Sequence, residues 1–226
     1  MSRLGELEQR RGVAPEPQPR SGSRPTLLRL APEPSDEELV AAVRAGDRQA
    51  ADWLVLRHAP RVTRVLARIL GGDPDLVDHA QEVLFRALRE LDQLREPGAF
   101  RGWVAALAVT EARRVLRKRA RWRWLFGDPV EIELVDESDD EEGREALRAV
   151  YDVLARLRED ERTAFALRYL EGMELTEVAA AMGISLATTK RRLQAARHRF
   201  ELMAKSQPAL APWVGATRGA GEDEEP

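Results

Sequence analysis

Residues 174–200 carry a helix-turn-helix pattern whose second helix is rich in side chains able to bind nucleic acid. Gly183 suits the turn, and Ser185 is a suitable N-cap for the helix that follows. One stripe of that helix is predicted to face inward: Thr189, Leu193, Ala196, Phe200 and Met203. The other face, with Lys190 beside it, carries Ala187, Arg191, Gln194 and His198. We interpret this helix as a reader of the DNA major groove, although a solvated basic face on an ordinary amphipathic helix has the same periodicity.

A second basic surface is predicted between Thr110 and Trp124. This segment contains one acidic residue, Glu111, and seven basic residues: Arg113, Arg114, Arg117, Lys118, Arg119, Arg121 and Arg123. Aromatic residues that could stack on unpaired bases flank this run or lie within it: Trp103, Trp122, Trp124 and Phe126. Trp103 also fits a core position, since Val104 and Leu107 lie close to it in the sequence. One basic helix in each half of the chain suggests two contact points on one nucleic acid.

Two helical domains are predicted to position these surfaces. Apolar residues repeat at helical spacing, and no sustained period-two pattern of a strand occurs, so we predict an all-α fold. The predicted order is a disordered proline-rich arm (1–34), a first helical domain (35–126), an acidic flexible linker (127–145), a second helical domain with the helix-turn-helix (146–205) and a disordered acidic tail (206–226).

Local signals predict where the first two helices begin and end. Ser35 with Glu38 fits a capping box, and Gly46 is suited to end that helix. Asp47 can cap the next helix, which spans about residues 48–70. Pro60 is predicted to kink or divide this second helix, because proline removes one backbone donor.

Another set of signals surrounds the helix predicted over residues 75–91. Gly71 and Gly72 are predicted to stop the preceding helix, and Asp73 with Pro74 fits an N-cap and a first-turn proline. The predicted core positions of this helix are Val77, Val83, Leu84, Leu88 and Leu91. A loop containing Pro97 and Gly98 then leads to a long helix from about Phe100 to Arg121.

The charge of the chain is unevenly distributed. The formal net charge is −3, but ten of the 39 acidic residues lie in 128–145 and four more lie in 222–225. The rest of the chain holds 25 acidic against 35 basic residues, an excess of ten positive charges. Such an excess is typical of a protein that binds nucleic acid.

Composition argues against several other classes of protein. Cysteine is absent, which excludes disulfides and thiolate metal sites. The three histidines, His58, His79 and His198, form no ligand pattern and are interpreted as surface or boundary residues, so no metal and no cofactor are predicted. No glycine-rich phosphate loop or nucleophile–base arrangement points to an enzyme. No apolar run suits a membrane span or a signal peptide, so we expect a cytoplasmic protein without membrane insertion.

With both halves laid out, residues 35–205 resemble the extracytoplasmic-function group of bacterial RNA polymerase sigma factors, the smallest members of the sigma-70 family. The segment DLVDHAQEVLFRALREL (75–91) is similar to the family's D-x-x-Q-E segment. FRGWVAALAVTEARRVLRKR (100–119) is similar to its F-x-x-W-L segment and the basic helix after it. RYLEGMELTEVAAAMGISLATTKRRLQAARHRF (168–200) is similar to sigma region four.

The resemblance implies a role for each of these elements. The 75–91 helix would bind core RNA polymerase through Asp78, Gln81, Glu82 and Arg86. The loop at 92–99 and the helix after it would melt and hold the minus-ten element, with one flipped base, through Trp103, Thr110, Arg113, Arg114, Arg117 and Lys118. The 185–203 helix would read the minus-thirty-five element through Ser185, Ala187, Thr188, Lys190, Arg191, Gln194 and His198. The linker would follow the polymerase's RNA path, and an anti-sigma factor is a further partner that this family suggests.

Two other functions fit part of the sequence. A stand-alone helix-turn-helix regulator explains residues 174–200 but gives the 75–91 helix no role. A sigma-like mimic would bind polymerase or an anti-sigma factor without opening promoters. Val109 and Thr110 stand where family members usually carry Arg-Asn, and this departure supports the mimic.

Overall fold

The structure is a computed structural model that describes residues 33–126 and 141–210. Eight α-helices follow one another in these two ranges: α1 Asp36–Arg44, α2 Arg48–Leu70, α3 Leu76–Arg89, α4 Phe100–Phe126, α5 Glu141–Ala155, α6 Glu159–Phe165, α7 Leu175–Met182 and α8 Leu186–Ala204. Short 3-10 helices occur at Leu91–Gln93, Pro97–Ala99 and Pro208–Leu210, and a π-helical segment, Ala166–Leu170, continues α6. The described residues contain no strand, which confirms the all-α prediction.

The ends of α1 and the start of α2 are fixed by local hydrogen bonds. The Ser35 hydroxyl accepts from the Glu38 backbone N–H at 3.2 Å, and the Glu38 carboxylate accepts from the Ser35 N–H at 2.7 Å. Gly46 follows α1 with a φ of 93°, a conformation that favours glycine. Asp47 then accepts from the backbone of Gln49, which begins α2 in the predicted way.

The second helix is continuous from Arg48 to Leu70, so Pro60 does not divide it. Proline lacks the N–H that would bond the Leu56 carbonyl four residues earlier. Pro60 and Leu56 both lie on the exposed side of α2, and water can therefore serve that carbonyl. Gly71 ends the helix at a φ of 74°, as predicted from the two glycines.

The third helix begins at Leu76, not next to Asp73, so the predicted N-cap is wrong. The Asp73 carboxylate accepts from the Asp75 N–H at 3.0 Å and pairs with Arg119 of α4 instead. Of the predicted core positions Val77 is 63% exposed, because the inward position of that turn is taken by Leu76. The others are correct: Val83, Leu84 and Leu91 are buried, and Leu88 packs against the core.

His58 is a buried residue, contrary to the prediction that every histidine lies at the surface or a boundary. Its side chain is 5% exposed overall, its Nε2 lies 3.0 Å from Asp36 Oδ2, and its ring lies 4.9 Å from that of Phe100. Burial alone raises the pKa of Asp36, but hydrogen bonds from His58 and Arg57 outweigh it and lower that pKa. This cluster joins α1, α2 and the start of α4.

The second group of helices forms the predicted helix-turn-helix. The π-helical segment widens the end of α6, where the Glu171 N–H bonds the Ala166 carbonyl five residues back. Gly183 turns the chain between α7 and α8 in the left-handed conformation, at a φ of 64°. Ser185 caps α8 by accepting from the Thr188 N–H at 3.2 Å. Turn and cap both confirm the sequence prediction.

The two groups of helices share one hydrophobic core. Residues of α2 and α4 and residues of α6 and α7, such as Ala164, Val178 and Met182, belong to the same buried cluster. At its edge Arg162 is 4% exposed and donates through Nε to the Ile69 carbonyl at 2.8 Å. The α6–α8 group therefore packs directly on the end of α2 and along α4.

The described residues extend helical structure beyond two predicted boundaries. The fifth helix begins at Glu141, inside the predicted linker, and Leu210 is buried inside the predicted tail. The predicted arm up to residue 32, the linker residues 127–140 and the tail residues 211–226 lie outside the described residues. None of the helices within the described ranges is long and apolar enough to cross a membrane.

Candidate nucleic-acid interface

The recognition face of α8 is open to solvent. Thr189, Leu193 and Ala196 are buried, and Phe200 and Met203 pack against the core, so the predicted inward stripe is confirmed. Thr188 is half-buried, and the other residues predicted to contact DNA are exposed: Ser185, Ala187, Lys190, Arg191, Gln194 and His198. This face presents donors over nearly three turns of helix, a length that suits a major groove.

Thr189 shows how a polar side chain can occupy an inward position of α8. The residue is fully buried, and its hydroxyl donates to the Ser185 carbonyl at 3.1 Å. A buried hydroxyl with a backbone partner carries little desolvation penalty. A threonine in the predicted inward stripe is therefore compatible with the helix-turn-helix.

The residues predicted to hold the minus-ten element share one side of α4. At 3.6 residues per turn they fall within an arc of about 140°: Trp103, Thr110, Arg113, Arg114, Arg117 and Lys118. The opposite side is buried and contains Val104, Ala108, Ala112 and Val115. Trp103 is half-buried against Phe100, with ring centroids 5.8 Å apart, so it serves the core as well as this surface.

Part of the α4 surface is occupied by the first turn of α6. Arg113 donates to Glu159 at 3.0 Å and to Asp160 at 2.6 Å, and Arg117 donates to Glu159 at 2.8 Å. Asp160 also pairs with Arg192 of α8 at 2.6 Å. The sequence analysis missed these contacts, because nothing in the pattern shows which acids 42 to 47 residues away will meet the basic helix.

Arg114 has a different partner. It forms two hydrogen bonds with Glu111 of the same helix, at 2.8 and 2.6 Å. Glu111 is 7% exposed and also lies 3.2 Å from His79 Nδ1 on α3. The bond from Arg114, supported by charge from His79, holds the pKa of Glu111 below its usual value in spite of burial. Arg114 is thereby directed toward α3, away from Arg113 and Arg117.

Val109 and Thr110, which stand where family members usually carry Arg-Asn, are both accommodated by the local structure of α4. Val109 is 1% exposed and belongs to the core, whereas Thr110 is exposed and its hydroxyl donates to the Ala106 carbonyl at 2.9 Å. Valine at position 109 adds apolar packing to the core. The arginine that family members usually carry at this position would have to extend its side chain past the core to reach water. Thr110 remains available on the surface next to the basic residues of α4.

A mixed polar and aromatic face lies on α3. Asp78, Gln81 and Glu82 are exposed, and Arg86 is half-buried and paired with Glu90 at 3.0 Å. Phe85 lies among them and is 64% exposed, although the sequence analysis gave it no role. Its position four residues after Gln81 and seven after Asp78 was the signal that could have identified it. A large exposed aromatic ring among polar groups is typical of a protein-binding surface.

One group within the described residues has the spacing to hold a metal ion: Asp73, Asp75 and His79. Asp73 already pairs with Arg119, and His79 already contacts Glu111. Arg119 therefore already neutralises the Asp73 carboxylate, and the contacts of Asp73 and His79 join α3 to α4.

Two protein-family models match this chain. Residues 54–122 match the model described as sigma-70 region 2, and residues 147–200 match the one described as sigma-70, region 4. The first range contains α3 and most of α4, and the second contains the helix-turn-helix.

Characterised relatives match over most of their length. An ECF RNA polymerase sigma-E factor from Haemophilus influenzae is 30% identical over 80% of this chain and 100% of that protein. An RNA polymerase sigma-H factor from Pseudomonas aeruginosa is 28% identical over 74% of this chain and 92% of that protein. The sigma-E factor of Escherichia coli K12 is also 28% identical, over 78% of this chain and 96% of that protein.

Solved structures share the fold. CnrH, solved in complex with the cytosolic domain of CnrY, has a TM-score of 0.56 at 24% identity, over 76% of this chain and 97% of that one. The sigma factor RpoE of Bartonella quintana, solved with the anti-sigma factor NepR, has a TM-score of 0.54 at 21% identity. The match covers 68% of this chain and 96% of that one.

The Glu111–Arg114 pair leads to a prediction about pH and stability. Because the folded-state pKa of Glu111 is lowered, its contribution is present above the unfolded-state pKa of about 4.3 and is lost as pH falls through the folded-state pKa. Glu111→Gln should lower the free energy of unfolding by about 1–3 kcal/mol at pH 7. Urea unfolding should show the deficit shrinking below about pH 4.

Asp52→Asn is the control, since Asp52 is exposed on α2. This variant should leave the unfolding midpoint nearly unchanged at pH 7 and at pH 3. A Glu111→Gln deficit of the same size from pH 7 down to pH 3 would contradict the assignment of this stabilisation to the charged carboxylate.

Proposed function

Since this chain belongs to the extracytoplasmic-function group of the sigma-70 family, we propose that it binds core RNA polymerase and directs it to promoters for transcription initiation. One observation supports this function above the others: a single chain carries two basic helical surfaces, on α4 and α8, together with the exposed face of α3. A stand-alone regulator needs only the α8 surface. The chemistry of RNA synthesis belongs to the polymerase, because sigma factors are not enzymes.

The helix-turn-helix is assigned to the minus-thirty-five element. In this assignment α8 enters the major groove, with Arg191 and Gln194 reaching base edges and Lys190 contacting phosphates. The Ser185 cap and the buried side of α8 support a rigid presentation of these side chains. Thr188 and His198 border the same face, and Ala187 lets the backbone approach the DNA closely.

The outer side of α4 is assigned to the minus-ten element. Arg113, Arg117 and Lys118 would hold phosphates of the opened strand, and Thr110 with Trp103 would lie toward the bases. The preceding loop, 92–99, would accept one flipped base; Arg44 holds this loop by donating to the Leu91 and Leu94 carbonyls. Extrusion of a base costs a few kcal/mol, which stacking and hydrogen bonds in the loop must offset.

The exposed face of α3 is assigned to core polymerase. Asp78, Gln81 and Glu82 provide acceptors and an amide around the ring of Phe85, and Arg86 borders them. A central aromatic residue within a polar rim is the arrangement in which one side chain carries much of the binding free energy. An anti-sigma factor that covered this face would compete with polymerase.

In vitro transcription tests the function as a whole. The full chain is mixed with core bacterial RNA polymerase and a pool of genomic promoter fragments, and the starts of the transcripts are sequenced. Defined starts that need the chain are expected, whereas the free chain should bind duplex DNA weakly. Stable core binding without any starts would identify a mimic, and tight operator binding without polymerase would identify a stand-alone regulator.

The α8 assignment predicts that Arg191→Ala and Gln194→Ala reduce promoter use without weakening polymerase binding. Loss of one good base contact costs about 1–3 kcal/mol, so each variant should lower transcription from a matched promoter about tenfold. Run-off transcription and core-binding titrations are the measurements. Arg156→Ala, at the exposed position directly after α5, is the control. Equal loss of promoter use and polymerase binding would show that the two residues act structurally.

The α3 assignment predicts that Phe85→Ala weakens core polymerase binding at least fivefold, because an exposed aromatic anchor is lost. The urea midpoint should stay unchanged, since 64% of the Phe85 surface is already in water. Leu56→Ala removes an apolar side chain that is 72% exposed on α2 and serves as the matched control. Titration of labelled core polymerase with each variant gives the comparison, and equal affinities for both variants would count against a role for Phe85.

A further inference from the structure

Arg44, the last residue of α1, binds the backbone of the segment that follows α3. Its Nη2 donates to the Leu91 carbonyl at 2.8 Å and to the Leu94 carbonyl at 2.5 Å. One guanidinium group therefore joins the end of α1 to two carbonyls of the same turn. Arg44 lies before residue 54, where the match to sigma-70 region 2 begins, so the matched range does not include it.

The segment that Arg44 holds has a buried side and an exposed side. Leu91 and Leu94 are 3% and 5% exposed, and the Leu94 N–H donates to the Leu91 carbonyl at 3.1 Å. The residues around them are exposed: Asp92, Gln93, Arg95 and Glu96. The two leucines fix the segment to the core, and Arg44 fixes the direction of its carbonyl groups. The exposed side chains therefore project from a backbone that is held from both sides.

The other end of α1 is also held, so this helix connects the loop at 92–99 to α2 and α4. Asp36, the first residue of α1, accepts from Arg57 of α2 at 3.0 Å and lies 3.0 Å from His58 Nε2. The His58 ring contacts Phe100, the first residue of α4. The helix packs against Pro97–Ala99 as well. The loop is thereby joined through α1 to the residues on which it would have to be aligned.

A loop that accepts an extruded base has to offset the cost of unstacking that base. If the loop also had to become ordered at that moment, the lost backbone freedom would weaken binding further. Hydrogen bonds from a charged guanidinium to backbone carbonyls are stronger than those between neutral groups, and a loop held by them is ordered before the base arrives.

We propose that Arg44 is a positioning residue for base recognition. Through the carbonyls of Leu91 and Leu94 it holds the loop at 92–99 in the conformation that accepts the flipped base of the minus-ten element. The proposal rests on the proposed function for the role of this loop. The order that Arg44 gives to the loop follows from the contacts of α1 alone and is tested separately.

Amide hydrogen exchange of the full chain tests that order without polymerase or DNA. The Leu94 and Ala99 N–H groups are bonded within the loop, to the carbonyls of Leu91 and Glu96. Arg44→Ala should raise the exchange rate of both amides by about fivefold and leave the amides inside α3 nearly unchanged. Arg48→Ala is the matched control, because it removes one positive charge at an exposed position next to α1. Equal loop exchange in the two variants would overturn the proposal.

A strand that lacks one base tests the link to recognition. Core polymerase with the native or Arg44→Ala chain is titrated with a labelled single strand that carries the minus-ten sequence of a promoter found by sequencing transcript starts. Matched strands carry one abasic site at each position in turn. Arg44→Ala should bind the intact strand about tenfold more weakly. It should bind the strand that lacks the flipped base as well as the native chain does, because that strand offers nothing for the loop to accept.

An equal loss of affinity for the intact and the abasic strand would overturn the proposal, since a residue that acts only through the fold or through net charge weakens both. Arg48→Ala should match the native chain on both strands. Circular dichroism verifies that each variant is folded. Arg44→Lys keeps the charge on a slightly shorter side chain, and it replaces Arg44→Ala in both experiments if the alanine variant does not fold.

The two experiments separate this proposal from the proposed function. A native complex that is insensitive to every abasic site would refute the flipped base in the loop, which belongs to the proposed function. The exchange rates of the chain without polymerase would still decide whether Arg44 orders the loop. An abasic-sensitive native complex together with unchanged loop exchange in Arg44→Ala would instead leave the proposed function intact and refute the role of Arg44.

Discussion

The contact between the two groups of helices depends on the carbonyl groups at the end of α2. A helix leaves most of its last carbonyls without backbone partners, and here side chains from elsewhere in the chain donate to two carbonyls near the end of α2, of which Ala67 also accepts from the Gly71 N–H. The buried guanidinium of Arg162 donates to the Ile69 carbonyl at 2.8 Å, and the Tyr151 hydroxyl donates to the Ala67 carbonyl at 3.2 Å. The Arg162 guanidinium would be costly to bury without the Ile69 carbonyl as its acceptor. The same bonds fix where α6 begins, and so which acids meet α4.

The two basic surfaces that we predict to bind DNA are consequently unequal in the structure. The face of α8 is complete and exposed, because its inward stripe is filled by side chains of its own group. The surface of α4 is divided: Arg113 and Arg117 meet α6, Arg114 is held by Glu111, and Lys118 is exposed. The exposed face of α3 lies on a third side. The proposed polymerase face of α3 is thus exposed, whereas the proposed DNA surface of α4 is partly covered by α6.

Periodicity and capping signals predicted the local structure well, because both act within a few residues. They located the inward stripe of α8, the turn at Gly183 and the cap at Ser185, and the family resemblance supplied the roles. What they missed depends on distant partners: burial of His58 against Asp36, the pairing of Asp73 with Arg119, and the acids that cover Arg113. The sequence analysis gave the acids of α6 no role, since nothing local distinguishes a solvated acid from one that binds an arginine.

The pairing of Glu159 and Asp160 with arginines of α4 bears on how many cations this helix exposes. A bacterial chromosome offers millions of non-specific sites, and a protein with two free basic helices would be sequestered on them by phosphate contacts alone. Each arginine held by Glu159 or Asp160 is one cation fewer for a contact of this kind. For a chain with the proposed sigma function, fewer contacts of this kind would leave a larger fraction of its copies free to reach polymerase.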